Sequence, residues 1–185
     1  MKVFAAIFGA LLMTNGALAF DLNDCIINGM KGVSSDVAAR QVRYACDQKH
    51  RAHVTERRLK FEQEFGESLS TDLLEMAPHF ELAGAGKHSI HVTSKEPSRA
   101  VTLIRLEVTP APAGPGKACD PTRSRVFAYK VMVKPAQRVR LVFPSTADSN
   151  CLSIDSANAR PTKWSDVAFS SSADPMPKDP FEELK

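Results

Sequence analysis

The sequence of 185 residues lacks the short motifs that are typical of well-known enzymes and metal sites. It contains no C-x-x-C pair, no H-E-x-x-H, no G-x-S-x-G, no P-loop and no G-x-G-x-x-G. Without paired cysteines, a zinc site of the zinc-finger type is not indicated. Without a nucleophile elbow, a serine hydrolase is not indicated either. These absences favour a non-catalytic protein without a cofactor, and the alternative is a secreted hydrolase or a metal-dependent enzyme.

Long apolar runs and stacking aromatics are also scarce. The apolar run Val3–Met13 is shorter than the roughly 20 residues that a membrane-spanning helix needs, and no later run approaches that length. Aromatic residues make up 7% of the chain, which is few for a protein that stacks nucleic-acid bases. We therefore expect no transmembrane segment after signal cleavage and no nucleic-acid partner.

Residues 1–19 have the layout of a secretory signal peptide. Lys2 precedes the apolar run Val3–Met13, and Ala17-Leu18-Ala19 is a small-x-small cleavage site. We expect cleavage after Ala19, so that the mature chain begins at Phe20, and an uncleaved anchor is the alternative. This segment predicts a periplasmic or secreted protein.

The four cysteines, Cys25, Cys46, Cys119 and Cys151, all follow the predicted cleavage site. An exported chain meets an oxidising compartment, so an even cysteine count indicates two disulfides. Three pairings are possible, and proximity in the sequence favours Cys25–Cys46 and Cys119–Cys151. In the chain-entropy model, loops of these lengths stabilise the folded state by roughly 3–4 kcal/mol each.

Residues 20–50 are predicted to form a disulfide-linked helical segment. Asp21 can cap a first helix, and Ser34 or Ser35 can cap a second. The stretches Asp24–Ile27 and Met30–Cys46 resemble a short two-cysteine helical segment that follows signal peptides in small exported bacterial proteins. This resemblance implies a bacterial periplasm and no activity.

Residues 51–83 are predicted to form an amphipathic helix and a connector. Val54, Phe61, Phe65 and Leu69 recur at helical spacing. Gly66 weakens or ends such a helix, and a break is expected at Pro78.

Residues 84–160 are predicted to form an antiparallel β-sandwich. Apolar and polar residues alternate in short runs between turn signals, at 89–93, 101–109, 126–133, 139–143 and 152–156. No helical pattern interrupts these runs, which argues against a parallel βαβ fold. The low apolar content of residues 161–185 predicts a disordered tail. Trp164 and Phe169 are the residues that could dock the beginning of this tail.

The strand order resembles that of the FxLYD-type immunoglobulin-like domains of prokaryotic envelope proteins. The matching positions are Val101–Val108, Tyr129–Val133, Pro135 and Val139–Phe143, although the naming motif itself is missing. The resemblance implies a binding or spacer module. The expected fold class is therefore α+β, with a short N-terminal helical segment followed by an antiparallel immunoglobulin-like β-sandwich.

Basic residues are concentrated in the predicted sandwich. Residues 87–160 carry twelve Lys or Arg and five Asp or Glu, a net charge of +7. If the neighbouring strands pair, six of these residues form one cationic face: Arg123, Arg125, Lys130, Lys134, Arg138 and Arg140. Such a face is either the solvated side of the sheet or an anion-contacting patch.

Two histidine pairs lie three residues apart. His50 and His53 would share one face of a helix, with Asp47 nearby, but a zinc site needs three or four ligands. We interpret these histidines as exposed residues of a basic helix. His88 and His91 lie on a predicted strand, where this spacing directs them to opposite faces. No metal site is therefore expected.

Together these patterns predict an exported, non-catalytic interaction or structural module of the bacterial envelope. Its partner would be an unknown protein or an anionic envelope component, bound through the cationic face, the loop 110–118 or a sheet edge. Direct binding to an anionic lipid or glycan surface is a further alternative.

Overall fold

The structure is a computed structural model that describes residues 21–77, 79, 81–111, 119–144, 150–163 and 168–184. The predicted signal peptide, residues 1–19, lies outside the described residues, and so do Pro78, Trp164 and residues 112–118. The chain divides into two compact units, Met1–His53 and Val54–Lys185.

The first unit contains helix α1, Leu22–Gly29, and most of helix α2, Asp36–Phe65. The Asp21 carboxylate caps α1 by accepting hydrogen bonds from the backbone of Asn23 and Asp24, at 2.7 and 3.2 Å. The Ser35 hydroxyl accepts a hydrogen bond from the backbone N–H of Ala38 at 3.3 Å, at the start of α2. Both caps satisfy N–H groups that the first turn of a helix leaves without partners.

A disulfide joins the two helices of this unit. Cys25 and Cys46 lie at bonding distance, with their Cα atoms 5.8 Å apart, and Cys46 is buried. The predicted pairing is confirmed.

Helix α2 differs from its prediction, because it is one helix of 30 residues rather than two shorter ones. No glycine or proline occurs between Asp36 and Phe65, so nothing in this stretch interrupts the backbone hydrogen bonds. The helix ends before Gly66, whose φ of +80° terminates it. Leu69 therefore belongs to a strand rather than to the helix.

The second unit is built on nine described strands. Their bounds are β1 Glu67–Leu69, β2 Leu74–Met76, β3 Glu81–Gly84, β4 Lys87–Ser94, β5 Ala100–Pro110, β6 Arg125–Val133, β7 Arg138–Pro144, β8 Asn150–Arg160 and β9 Ser172–Ala173. The first sheet has the order β1-β8-β5-β6, and the second has the order β2-β4-β7-β9 with β3 also paired to β4. Neighbours are antiparallel except β7 and β9. The chain is therefore an α+β protein, as predicted.

All five predicted strands are present, as β4 to β8. The predicted β region began too late in the chain, because β1, β2 and most of β3 lie within residues 51–83, which were assigned to a helix and connector. These three strands have three or four residues each, which is too short for the alternation of a half-buried strand to show.

The two sheets share one hydrophobic core. On β7, Val139, Leu141 and Phe143 are fully buried and alternate with more exposed residues. Tyr129 of β6 is also fully buried, and its hydroxyl donates a hydrogen bond at 3.0 Å to the carbonyl of Val142 in the other sheet. This bond satisfies the one polar atom of a large core side chain.

A second, smaller cluster lies on the other face of the first sheet. There Phe61 and Phe65 at the end of α2 pack with Leu103 of β5 and Ala128 of β6. Phe181 joins this cluster from the C-terminal segment. Part of the outer face of the first sheet is therefore covered, and the groove described below lies beside this cluster.

Residues 168–184 differ from the predicted disorder. The backbone N–H of Ser170 donates to the carbonyl of Met132 at 3.0 Å, and that of Met176 donates to the carbonyl of Ala128 at 2.7 Å. Between these two contacts, β9 pairs with β7. The segment is held by backbone hydrogen bonds along the edges of β6 and β7, which its side-chain composition does not reveal.

Candidate functional site

The six basic residues proposed as one cationic face lie in different parts of the second unit. Arg123 is in a 3₁₀ turn, Pro121–Arg123, while Arg125 and Lys130 are on β6. Arg138 and Arg140 are on β7. Because β6 and β7 belong to different sheets, the condition for a shared face, that these strands pair, is not met.

Several of these cations already have partners. Lys130 Nζ lies 2.6 Å from Glu64 Oε1 on α2. Arg140 Nε donates to the hydroxyl of Ser89 at 2.9 Å, and Lys134 lies over the ring of Phe169 at 5.2 Å. Of the six, Arg138 and Arg140 lie on one face of the same strand, the outer face of β7, and Arg138 is the more exposed of the two.

The second predicted disulfide is also confirmed, since Cys119 and Cys151 lie at bonding distance with Cα atoms 6.3 Å apart. It connects Cys119, two residues before the turn Pro121–Arg123, to Cys151 at the start of β8. Most of the loop 110–118, a predicted contact region, lies outside the described residues.

A groove of about 500 Å³ lies between the end of α2 and the outer face of the first sheet. We call it the α2 groove. Its lining residues come from α2, β1, β8 and the C-terminal segment: Val54, Arg58, Phe61, Glu62, Gly66, Glu67, Ser68, Ser156, Asn158 and Phe181.

One wall of the α2 groove exists because the sheet caps the end of the helix. The Thr102 hydroxyl donates to the carbonyl of Phe65, and Asn158 Nδ2 donates to the carbonyl of Gly66 at 3.1 Å. Arg160 donates to the carbonyl of Glu64 at 3.4 Å. These side chains satisfy carbonyls that the last turn of a helix leaves open, and they fix the helix end against β5 and β8.

Gly66 makes this close approach possible. A Cβ at this position would lie 2.6 Å from the carbonyl carbon of Ala159 on β8 and in still closer contact with its oxygen. Only glycine fits both the positive φ and this contact.

Asn158 lines the groove and contains an unusual buried polar atom. Its side chain is only 4% exposed. Among the described residues no donor lies within hydrogen-bonding distance of its Oδ1, although Nδ2 is bonded. A buried acceptor without a partner costs about 1–3 kcal/mol. This oxygen has almost no exposed surface, so it lies beneath the lining of the groove rather than open to it.

The opposite wall is held by Arg105 of β5. Its guanidinium donates to Asp179 at 2.7 and 3.0 Å and also bonds Asp155. The same guanidinium lies 4.5 Å from the centre of the Phe181 ring, and that ring meets Phe61 edge-on at 4.7 Å. Because Asp179 and Phe181 are both fixed by Arg105, the C-terminal segment is anchored beside the groove.

Charged side chains form the rim of the groove. Arg58 Nε lies 2.8 Å from Glu62 Oε1. Glu67 is 83% exposed and 3.4 Å from Arg99. The lining thus offers two carboxylates and one cation, and both ion pairs are open to solvent, where they contribute little to stability.

Two groups with shifted pKa values lie away from the groove. A hydrogen bond from Arg99, with further bonds from Ser98, lowers the pKa of the buried Glu96 carboxyl in the β4–β5 connection. Burial, and to a smaller extent the charge of Asp174, raises the pKa of the Tyr129 hydroxyl far above its usual range. Both groups stabilise the fold and neither contacts the groove.

His50 and His53 lie on α2 and are half-buried rather than exposed as expected. In the part of the chain that the structure describes, no three His, Cys, Asp or Glu side chains are grouped to hold a metal ion. Neither described helix has the length and hydropathy of a membrane-spanning segment.

The residues that form the groove were not identified from the sequence. Asn158 donates to a carbonyl 92 residues earlier in the chain, and Arg105 bonds Asp179 across 74 residues. No local pattern marks either residue. Among the groove residues, Gly66 was singled out in the sequence, but it was predicted only to weaken or end a helix.

The chain matches no known protein-family model. It also matches no curated protein, and its fold matches no solved structure. The resemblances at residues 24–46 and 101–143 therefore contribute to the function only as proposals.

Proposed function

We propose that this chain is an exported binding module of the bacterial envelope, and that the α2 groove is its binding site. The observation that carries the proposal is the groove itself, whose lining combines the aromatic rings of Phe61 and Phe181 with charged side chains at its rim. The volume of about 500 Å³ supports it further, because small-molecule sites usually measure about 300–1,000 Å³.

Export and the immunoglobulin-like architecture are parts of the same proposal. The layout of residues 1–19 supports a signal peptide, and the two disulfides are compatible with an oxidising compartment. Two sheets around a common core support the immunoglobulin-like sandwich.

Export is tested by expressing the whole chain in a bacterium and isolating the protein from the periplasm. We expect a mature chain that begins at Phe20 and has no thiol available for alkylation before reduction. Cytosolic protein with Met1 intact and four free thiols would exclude export.

Binding is tested by titrating the oxidised protein with a small-molecule fragment library and recording NMR amide shifts. Ser68 is exposed, so Ser68→Trp fills the groove without disturbing the core. Ser153→Trp, on the same sheet but outside the lining, is the control. We expect fragments to shift groove resonances in wild type and in Ser153→Trp but not in Ser68→Trp. Equal shifts in all three proteins, or none in any, would reject the site.

A second candidate function is contact with an anionic envelope surface through the second sheet. Arg138 and Arg140 share one face of β7, and the register places His91 of β4 opposite Arg140. The double variant Arg138→Gln/Arg140→Gln should bind anionic vesicles more weakly than wild type at low salt, with the difference lost at high salt. Equal binding by both proteins would remove this candidate.

A further inference from the structure

Helix α1 has few contacts that attach it to α2. None of its eight described residues is buried, and Leu22, Cys25 and Ile26 are only half-buried. Over the part of the chain that the structure describes, the hydrogen bonds of this segment join residues 21–33 to one another. The helix is therefore attached neither by a hydrophobic core nor by hydrogen bonds to α2.

Among the described residues, two features hold α1 against α2. One is the disulfide Cys25–Cys46, whose Cα atoms lie 5.8 Å apart. The other is a close approach of Gly29 to Val42, where a Cβ on the glycine would lie 2.5 Å from Val42 Cγ1. A helix of this length is well below the roughly 12–15 residues at which an isolated helix is even marginally stable in water. The disulfide is therefore the main constraint that keeps α1 folded on α2.

The other disulfide has a different structural role. Cys151 lies on β8, which pairs with β5 from Asn150 to Arg160. This ladder of backbone pairs holds β8 in place whether or not its cysteine is bonded. Breaking Cys119–Cys151 therefore weakens the second unit as a whole, whereas breaking Cys25–Cys46 frees one helix.

We propose that α1 is a redox-controlled flap, which lies on α2 while the Cys25–Cys46 bond is intact and detaches when a dithiol reduces that bond. Two electrons and two protons pass from the dithiol to the protein, which gains two cysteine thiols while the reductant becomes a disulfide. Cys25 is half-buried whereas Cys46 is only 4% exposed, so the reductant attacks the sulfur of Cys25. Detachment uncovers Val42 and the Cys46 thiol on α2. This switch does not depend on the α2 groove.

Hydrogen exchange of backbone amides tests the flap. The double variant Cys25→Ser/Cys46→Ser represents the reduced state, and Cys119→Ser/Cys151→Ser is the matched control that keeps the bond between the helices. In the chain-entropy model, a loop of this length changes the equilibrium between attached and detached α1 about 100-fold. We therefore expect the exchange protection of residues 25–30 to fall by this factor in the first variant, while the amides of β5 stay as protected as in wild type. In the control, the protection of residues 25–30 should be unchanged.

Reversal of the change distinguishes a switch from permanent damage. Dithiothreitol is added to Cys119→Ser/Cys151→Ser, which contains only the Cys25–Cys46 bond, and is then exchanged for oxidised glutathione. We expect α1 to lose its protection on reduction and to recover it on reoxidation.

Three results would overturn the proposal. They are protection of α1 that survives in Cys25→Ser/Cys46→Ser, a loss of protection in that variant that extends to β5, and a loss on reduction that reoxidation does not reverse. Because Cys25→Ser/Cys46→Ser keeps the Cys119–Cys151 bond, its test stands even where the control variant does not fold.

Discussion

Replacing Gly66 with alanine should destabilise the second unit, because two separate penalties occur at this position. The backbone of Gly66 has a φ of +80°, and a residue with a Cβ in this left-handed region is strained by about 1–2 kcal/mol. The new Cβ would also lie 2.6 Å from the carbonyl carbon of Ala159, and forced overpacking of this kind costs about 1–3 kcal/mol. We therefore expect a loss of about 2–5 kcal/mol in the free energy of unfolding.

Gly86 provides the matched control. Its φ is +67°, yet a Cβ at this position would have no heavy atom within 4 Å. Gly86→Ala should therefore incur only the conformational penalty of about 1–2 kcal/mol. The difference in free energy of unfolding between the two alanine variants measures the effect of the contact between the end of α2 and β8.

Urea unfolding followed by far-UV circular dichroism measures both variants. With a slope of about 2 kcal/mol per molar urea, an extra loss of about 2 kcal/mol lowers the midpoint of Gly66→Ala about 1 M below that of Gly86→Ala. Equal midpoints for the two variants would refute the close approach of Gly66 to Ala159, and with it the described wall of the groove.

Three further outcomes are expected. Replacing Cys119 and Cys151 together with serine should cost roughly 3–4 kcal/mol in the free energy of unfolding, and an unchanged urea midpoint would contradict a stabilising bond. In a Tyr44→Phe background, tyrosinate absorbance from Tyr129 should appear only as the protein unfolds in alkali. The raised pKa of Tyr129 means that its contribution to the stability of the folded state is complete below the unfolded pKa of about 10 and is lost above it. Titration of the hydroxyl in the folded protein near that pKa would show that it is accessible. The lowered pKa of Glu96 means that its contribution to the stability of the folded state is present above about pH 4.3 and is lost as the pH falls. The stability difference between wild type and Glu96→Gln should shrink on acidification, and a constant difference would show that the charge contributes nothing.

The strands of the two sheets were predictable because burial imposes a period of two on the sequence. Val139, Leu141 and Phe143 alternate with Arg138 and Arg140, and the structure buries the first set only. The cysteine pairs were predictable for a simpler reason. The short chain segments between Cys25 and Cys46, and between Cys119 and Cys151, make those pairings easier to form than the longer ones.

The long helix and the C-terminal segment were not predictable from local patterns. Charged and polar residues together make up most of α2, which obscured its continuity, although no residue in it breaks a helix. The C-terminal segment is fixed by backbone hydrogen bonds and by Asp179, whose partner Arg105 lies 74 residues away. Such contacts depend on the completed fold, so composition alone indicated disorder.

The residues around Ser170 and Met176 cover the edges of β6 and β7, and they follow both strands in the chain. During synthesis these two strands therefore emerge from the ribosome before their cover does. In that interval each presents unpaired backbone amides and carbonyls, which are the groups through which sheets join between molecules. A chain truncated before Ser170 would keep those strand edges unpaired. We expect such a chain to associate with other copies of itself rather than to fold as a smaller functional protein.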